Sequence, residues 1–247
     1  MFSIFKKSIP IFSSDYFPIV TDMHSHILPG IDDGSPDVET SILLIEELIK
    51  LGITNSIATP HVIGDLYRNN ADSINTSLTL LRNAISEKHL NFKVNAAAEY
   101  MLDAYFLELL QKKVPLLTLK NNLVLTEFSY AERPYNAESI VFTIITEGYQ
   151  PVLAHPERYA YYHNDYKQFH HLADLGFLLQ INLLSLTGYY GKAVAKAADY
   201  ILKNNLASFT GTDLHHVKHI QALQLPANKI IFAQAFKEQK LNEEMFF

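Results

Sequence analysis

Short apolar runs, each closed by a polar residue and followed by a stretch with helical spacing, recur along the chain. They are PIVTDMH (18–24), TNSIATPH (54–61), FKVNAAAEY (92–100), NLVLTEF (122–128), PVLAH (151–155), FLLQIN (177–182) and ASFTGTDLH (207–215). Several are rich in β-branched or large apolar residues and bounded by turn formers, which predicts seven buried strands. Ser35-Pro36 predicts a helix with a serine cap and proline at its first position. Val38, Ile42, Ile45, Leu48 and Ile49 give that helix one apolar face, as Val194, Ala197, Ala198, Ile201 and Leu202 do over 191–205. The segment 72–88 is amphipathic more weakly. Strands alternating with helices imply parallel strands joined by crossovers. An even alternation favours a closed or nearly closed α/β barrel, with a doubly wound open sheet second. The glycine-rich phosphate loops that would support the open sheet are absent.

Composition narrows the class. A single α/β barrel domain commonly has about 250 residues, and this chain has 247. With no cysteine, a disulfide framework and a thiolate metal site are both excluded, and a reducing, cytoplasmic setting is expected. The formal charge of −6 argues against a nucleic-acid partner. No apolar run approaches the ~18 residues of a membrane span. The N-terminus, MFSIFKKSIPIFSSDYFP, places its lysines after apolar residues, the reverse of a signal peptide. An arm over 1–18 is therefore expected before a single domain over 19–247, with Phe2, Phe5, Phe12, Tyr16 and Phe17 packing on the domain or on a neighbouring subunit.

The residues that end the runs carry the chemistry. They are His24 and His26, His61, Glu99, Glu127, His155, Asn182, and Asp213 with His215. In a parallel barrel all these ends open on one face, where active sites of such barrels lie. The set is histidine and carboxylate, with no serine framed as G-x-S-x-G. Imidazole with carboxylate suits Zn, Mn or Fe. His24 and His26, two apart on a strand end, point to one side and could hold one ion. Asp213 and His215 repeat that spacing, and Asp33, with Asp32 the lesser candidate, could reach the same pit. Each residue alone has an ordinary explanation: a loop histidine, a glutamate facing a helix, an aspartate capping one. A metal site explains all of them together. Gln180 and Asn182 fit two readings equally, as partners orienting histidine ligands or as satisfied polar groups inside a barrel.

The stretches DMHSHILPGIDDG, ATPH, AAAEY, LTEF, AHPERY and GTDLHH together resemble the polymerase-and-histidinol-phosphatase (PHP) family of metal hydrolases. Within it they are similar to the manganese-dependent bacterial protein-tyrosine phosphatases of capsular and exopolysaccharide loci. The resemblance implies a distorted seven-stranded, TIM-like (β/α)7 barrel and three divalent ions, most of all Mn, with Fe or Zn as alternatives. It assigns His24, His26, Glu99 and Asp213 to one ion. A second would share Glu99 and add Glu127 and His155, and a third would take Asp33, His61 and His215. Arg158 would bind a phosphate oxygen. The implied substrate is a phosphotyrosine protein, such as the tail of a bacterial tyrosine kinase. One departure stands out: streptococcal members carry a second phosphate-binding arginine shortly after the last Asp-x-His. Here the stretch reads DLHHVKHIQAL. Lys218, His216 and His219 are the candidates to replace it, although lysine is a point charge without the planar fork of arginine.

Charge supports that chemistry. Asp33, Glu99, Glu127 and Asp213 contribute about −4 and three divalent ions about +6, leaving about +2 for a phosphate dianion before Arg158 is counted. The expected reaction is in-line attack on phosphorus by a metal hydroxide. Arg158 would stabilise the equatorial oxygens, and Asp32 would have a supporting catalytic role. Tyr67, Tyr130, Tyr135 and Tyr159 are candidates to flank a phosphotyrosine ring. Two alternatives share the same residues: a small-molecule phosphomonoesterase such as a histidinol-phosphate phosphatase, and a non-catalytic module that binds the kinase.

Overall fold

A computed structural model of the chain describes residues 17–237 and 241–242. Its strands are β1 (Thr21–Ser25), β2 (Asn55–Ala58), β3 (His61–Ile63), β4 (Tyr67–Arg68), β5 (Lys93–Ala96), β6 (Glu99–Met101), β7 (Leu123–Glu127), β8 (Gln150–Ala154), β9 (Leu178–Asn182) and β10 (Ala207–Gly211). Helices lie between most of them, so the fold is mixed α/β. One sheet runs β1-β2-β5 and the other β10-β9-β8-β7-β6-β3-β4. Every pairing is parallel except β3 with β4.

Two of the predicted runs break in the middle. TNSIATPH divides into β2 and β3 around Thr59-Pro60, where proline offers no N–H to a ladder. FKVNAAAEY divides into β5 and β6 around the buried Ala97 and Ala98. His61 and Glu99 were expected to end strands. Instead they open β3 and β6, paired with each other in register. The backbone stays connected across both breaks, since Ala97 N–H donates to Ala58 O (2.8 Å) and Glu99 N–H to Pro60 O (3.1 Å). The β4 hairpin had no signal in the pattern.

The first helix, Val38–Lys50, begins later than Ser35-Pro36 suggested. Asp37 is its cap, accepting from Thr40 N–H at 2.7 Å. Ser35 is used elsewhere: its N–H donates to His26 O (3.0 Å), which pins the loop back onto β1. A Cβ on Gly34 would lie 2.1 Å from that same carbonyl oxygen, so only glycine allows this approach. The face of helix Lys192–Lys203 is buried at all five predicted positions, Val194, Ala197, Ala198, Ile201 and Leu202. Of the expected arm, Phe17 packs edge-on against Phe232 (5.7 Å), while Phe2, Phe5, Phe12 and Tyr16 lie outside the described residues. Among the described residues no helix is long and apolar enough to cross a membrane.

The ends of the chain's sheet order also meet. Asp213 N–H donates to His24 O (2.8 Å) and His26 N–H to Leu214 O (2.9 Å), so the segment after β10 runs alongside β1. Buried Asp22 reinforces this seam, accepting from Thr212 N–H at 2.9 Å and from the Thr212 hydroxyl. Burial raises the Asp22 carboxyl to about 6 against these hydrogen bonds. A large apolar core fills the space between strands and helices, and a smaller cluster gathers Met23, Ile57, Leu125, Val152 and Phe209.

Candidate metal centre

Residues far apart in sequence converge where these strands finish. His24 lies on β1 and His26 just past it; Glu127 ends β7, His155 follows β8, and Asp213 and His215 follow β10. All are buried except His215, which is half-buried like His61. His155 and Asp213 adopt left-handed backbone conformations (φ 37° and 51°). Histidine and aspartate enter that region more readily than most residues, and there it turns both side chains off their strands into one pit.

Four imidazoles are held in the same sense. Nδ1 of His24 lies 2.8 Å from Gln180 Oε1, that of His26 2.7 Å from Asp32 Oδ2, that of His215 2.9 Å from the Asp213 carbonyl, and that of His155 3.2 Å from the Tyr130 hydroxyl. With the proton on Nδ1, each ring presents an Nε2 lone pair to the pit. The Nε2 atoms of His24 and His26 are 3.3 Å apart, and each is 3.3 Å from Glu99 Oε2. Asp213 Oδ1 is 3.4 Å from the first and 3.5 Å from the second. Four donors bound tetrahedrally at about 2.1 Å stand about 3.4 Å apart. These separations therefore fit an ion better than they fit direct hydrogen bonds.

A second group surrounds Glu99 and Glu127. Glu99 Oε1 is 3.1 Å from His155 Nε2, while His61 Nδ1 is 3.1 Å from Glu99 Oε2 and 3.0 Å from Glu127 Oε1. These last three atoms are buried without a hydrogen-bond partner among the described residues, as expected of ligands and costly otherwise. Asp33, half of whose side chain is exposed, completes the rim, 3.5 Å from His61 Nε2 and 3.6 Å from His215 Nε2. The potential ligand groups overlap: His26, Asp33, His61 and His215; His24, His26 and Asp213; His24, Glu99 and His155; His61, Glu99 and Glu127. His61 thus spans two of them, whereas the resemblance assigned it to one.

Electrostatics follow from this crowding. Burial opposes charge throughout the pit; opposite neighbours outweigh it at His24, His26, His61, Asp32, Glu99 and Asp213, whereas at His215 burial and the neighbouring His26 bring the ring down to about 4. Asp32 and Glu99 carry His26 up to about 10, and Glu99 and Glu127 carry His61 up to about 12. His24 and His61 hold Glu99 well below the usual carboxylate range; His24, His215 and Arg158 do the same to Asp213. Contact with His26 brings Asp32 down to about 2. Protons on His26 and His61 therefore offset part of the carboxylate charge at neutral pH when no ion is bound, and an entering ion must displace them. Mn binding at pH 7 is expected to release about two protons, with affinity rising as pH rises. Titration calorimetry in buffers of different ionisation enthalpy measures this; a heat independent of the buffer would contradict it.

The other expected residues divide. Arg158 reaches into the pit, donating from Nη1 to Asp213 Oδ2 at 2.6 Å. Asp32 stands behind His26 and also accepts from His61 N–H (3.2 Å) and Gly34 N–H (3.0 Å). Gln180 touches His24, and Asn182 donates to Asp213 Oδ2 (2.7 Å) while accepting from Gln180 (2.9 Å). Lys218 and His216 are exposed; His219 is buried, its Nδ1 3.1 Å from the Asp213 carbonyl. Tyr130 and Tyr67 stack near His155 and His61, Tyr135 is almost fully exposed, and Tyr159 is wholly buried, donating to Ala154 O. Two contributors escaped the sequence reading. Glu157, the central acid of HPER, accepts from Asn182 N–H (2.8 Å) and Ser185 (2.6 Å), tying the Arg158 turn to β9. Tyr190, in the sequence GYYG, has the Arg158 guanidinium carbon over its ring at 4.5 Å. A tyrosine in a loop offers no periodic signal by which to find it.

The mixed α/β fold matches that of PHP-type proteins. The chain belongs to the CpsB/CapC family of capsular polysaccharide synthesis, whose model matches residues 20–244. Tyrosine-protein phosphatase YwqE of Bacillus subtilis is 30% identical over 197 residues, covering 80% of this chain and 78% of that one. CpsB of Streptococcus agalactiae, also a tyrosine-protein phosphatase, is 28% identical, covering 88% and 92%. A crystal structure from a study of YwqE and Streptococcus pneumoniae CpsB, described there as metal-dependent tyrosine phosphatases, superimposes with a TM-score of 0.78 at 28% identity, covering 89% of this chain and 88% of that one. Histidinol phosphate phosphatase of Lactococcus lactis shares the fold at a TM-score of 0.52 and 14% identity, covering 87% and 92%.

Proposed function

We propose that this chain is a metal-dependent protein-tyrosine phosphatase that uses three divalent ions, foremost Mn. Its substrate is a phosphotyrosine protein, a bacterial tyrosine kinase tail being the partner proposed. The observation that carries this reading is the convergence of Nε2 and carboxylate oxygens at the spacing of ligands around one ion. His24, His26, His61, His155, His215, Asp33, Glu99, Glu127 and Asp213 would hold the ions. A closed barrel built as one domain from residue 19 onward accompanies it. Support comes from the β1–β10 seam and the cluster of Met23, Ile57, Leu125, Val152 and Phe209.

Divalent ions supply Lewis acidity and a water acidic enough to attack at neutral pH. The chain's own residues do the rest. Arg158 binds phosphoryl oxygens with the N–H groups of its guanidinium plane. Asp32 and Gln180 fix the rings and tautomers of His26 and His24. Bound to His26 Nδ1 and accepting from the His61 and Gly34 N–H groups, Asp32 is an anchor rather than a proton donor. Its charge also revises the balance: five carboxylates against three divalent ions leave about +1, or about +2 with Arg158. A tyrosine leaving group needs little protonation, since the phenol pKa is ~10.

The test is hydrolysis of phosphotyrosine peptides and alkyl phosphates by protein of measured metal content. Release of phosphate from the peptide, lost on chelation and restored by Mn, is expected. A fully loaded protein inert to phosphotyrosine peptide and aryl phosphate would refute the reading; preference for alkyl phosphates would make it a small-molecule phosphomonoesterase. Replacing Gln180 by Met removes the acceptor for His24 while keeping length. Metal affinity is expected to fall about 10–100-fold, read by chelator competition; unchanged affinity would leave Gln180 a filler of the interior.

A further inference from the structure

The chain has no arginine in DLHHVKHIQAL to make a second phosphate contact, and Lys218 there is exposed. The structure offers another group beside Arg158. Arg158 lies against two tyrosines, its guanidinium carbon 5.1 Å from the Tyr130 ring centroid and 4.5 Å from that of Tyr190. A cation held against aromatic rings keeps several guanidinium N–H groups for hydrogen bonds. One of them meets Asp213.

Tyr190 is the less ordinary of the two rings. Tyr130 uses its hydroxyl on His155, but the Tyr190 hydroxyl is buried with no hydrogen-bond partner among the described residues. A buried, unpartnered phenol is costly and uncommon. Its position is built: Tyr189 and Tyr190 sit between Gly188 (φ 79°) and Gly191 (φ 103°), two left-handed positions suited to glycine. Its ring also meets His219 edge-on at 6.1 Å, within the stretch where a second arginine was expected.

We propose that Tyr190 is a substrate-binding residue whose hydroxyl donates a hydrogen bond to a non-bridging phosphoryl oxygen beside Arg158. This rests on the reading of the site as a phosphomonoesterase, and it identifies a neutral donor in place of a second cation. A phosphate monoester dianion is the ligand class. The ring holds Arg158 in place and the hydroxyl completes the contact.

The experiment compares the Mn-loaded protein with Tyr190→Phe and Tyr189→Phe. Phenylalanine retains the ring on Arg158, so metal content and melting temperature should match those of the parent. Orthophosphate binding by calorimetry, its inhibition constant, and KM for a phosphotyrosine peptide are the readouts. Tyr190→Phe is expected to weaken phosphate binding and raise KM about tenfold, with a smaller change in kcat, while Tyr189→Phe changes neither. If Tyr190→Phe binds orthophosphate as tightly as a parent that is active, the proposal is overturned and the ring is only a support for Arg158. If the parent itself neither binds phosphate nor hydrolyses the peptide, the reading of the site fails first, and this inference with it.

Discussion

Asp213→Asn is expected to lower phosphotyrosine hydrolysis by about 10³-fold or more and to remove at least one ion from the purified protein. No other residue of the pit joins so many parts. Its Oδ1 stands 3.4 and 3.5 Å from the Nε2 atoms of His24 and His26, and its Oδ2 accepts from Arg158 and Asn182. Its carbonyl also receives the His215 ring at 2.9 Å. Asparagine is the informative replacement. It tolerates the left-handed backbone at this position, which alanine does not favour. It also nearly preserves volume, so loss of activity without a large fall in melting temperature isolates the missing charge. Kinetics with elemental analysis decide the matter. A variant that kept its full metal content and more than a tenth of its activity would remove Asp213 from the ligand set.

Arg158→Lys is expected to cost about 10²-fold in kcat/KM, mainly through KM, with metal content unchanged. Both residues carry one positive charge, so a purely electrostatic role would survive the exchange. The geometry argues otherwise. The guanidinium lies against Tyr130 and Tyr190 and donates to Asp213 at 2.6 Å, three contacts that hold it at the pit. An ammonium cannot reproduce a planar fork held against two rings. Comparable kcat/KM in the lysine variant would mean that charge alone suffices and that the clamp does not orient the substrate contact.

The sequence exposed one part of this site clearly and another poorly. His24, His26, Glu127, His155, Asp213 and His215 were legible because each closes an apolar run, and a parallel sheet gathers such ends. His61 and Glu99 were found as residues but misplaced as strand ends, because Pro60 and the Ala97-Ala98 pair interrupt strands whose apolar pattern continues through them. The serine expected to cap the first helix failed in a similar way. Ser35 has the right side chain, but its backbone is committed to His26, so Asp37 caps instead. Of the two adjacent aspartates, Asp33 was ranked first as a ligand and Asp32 was given a supporting role, but the partners of neither could be named. Asp32 turns to Nδ1 of His26 while Asp33 faces His61 and His215, a distinction set by the fold of one loop around Gly34.

The sequence by itself determined the mixed α/β class, the absence of thiolate chemistry and the inventory of imidazole and carboxylate groups, since periodicity and residue type are local properties. Tertiary structure alone decided which nitrogen of each imidazole faces the pit, that Asp32 works through Nδ1 of His26, and that Tyr130 and Tyr190 both lie against Arg158. Those facts depend on side-chain directions brought together from β1, β9 and the loops after β7 and β10. Direction in space at long sequence separation is set by packing, and no local pattern encodes it.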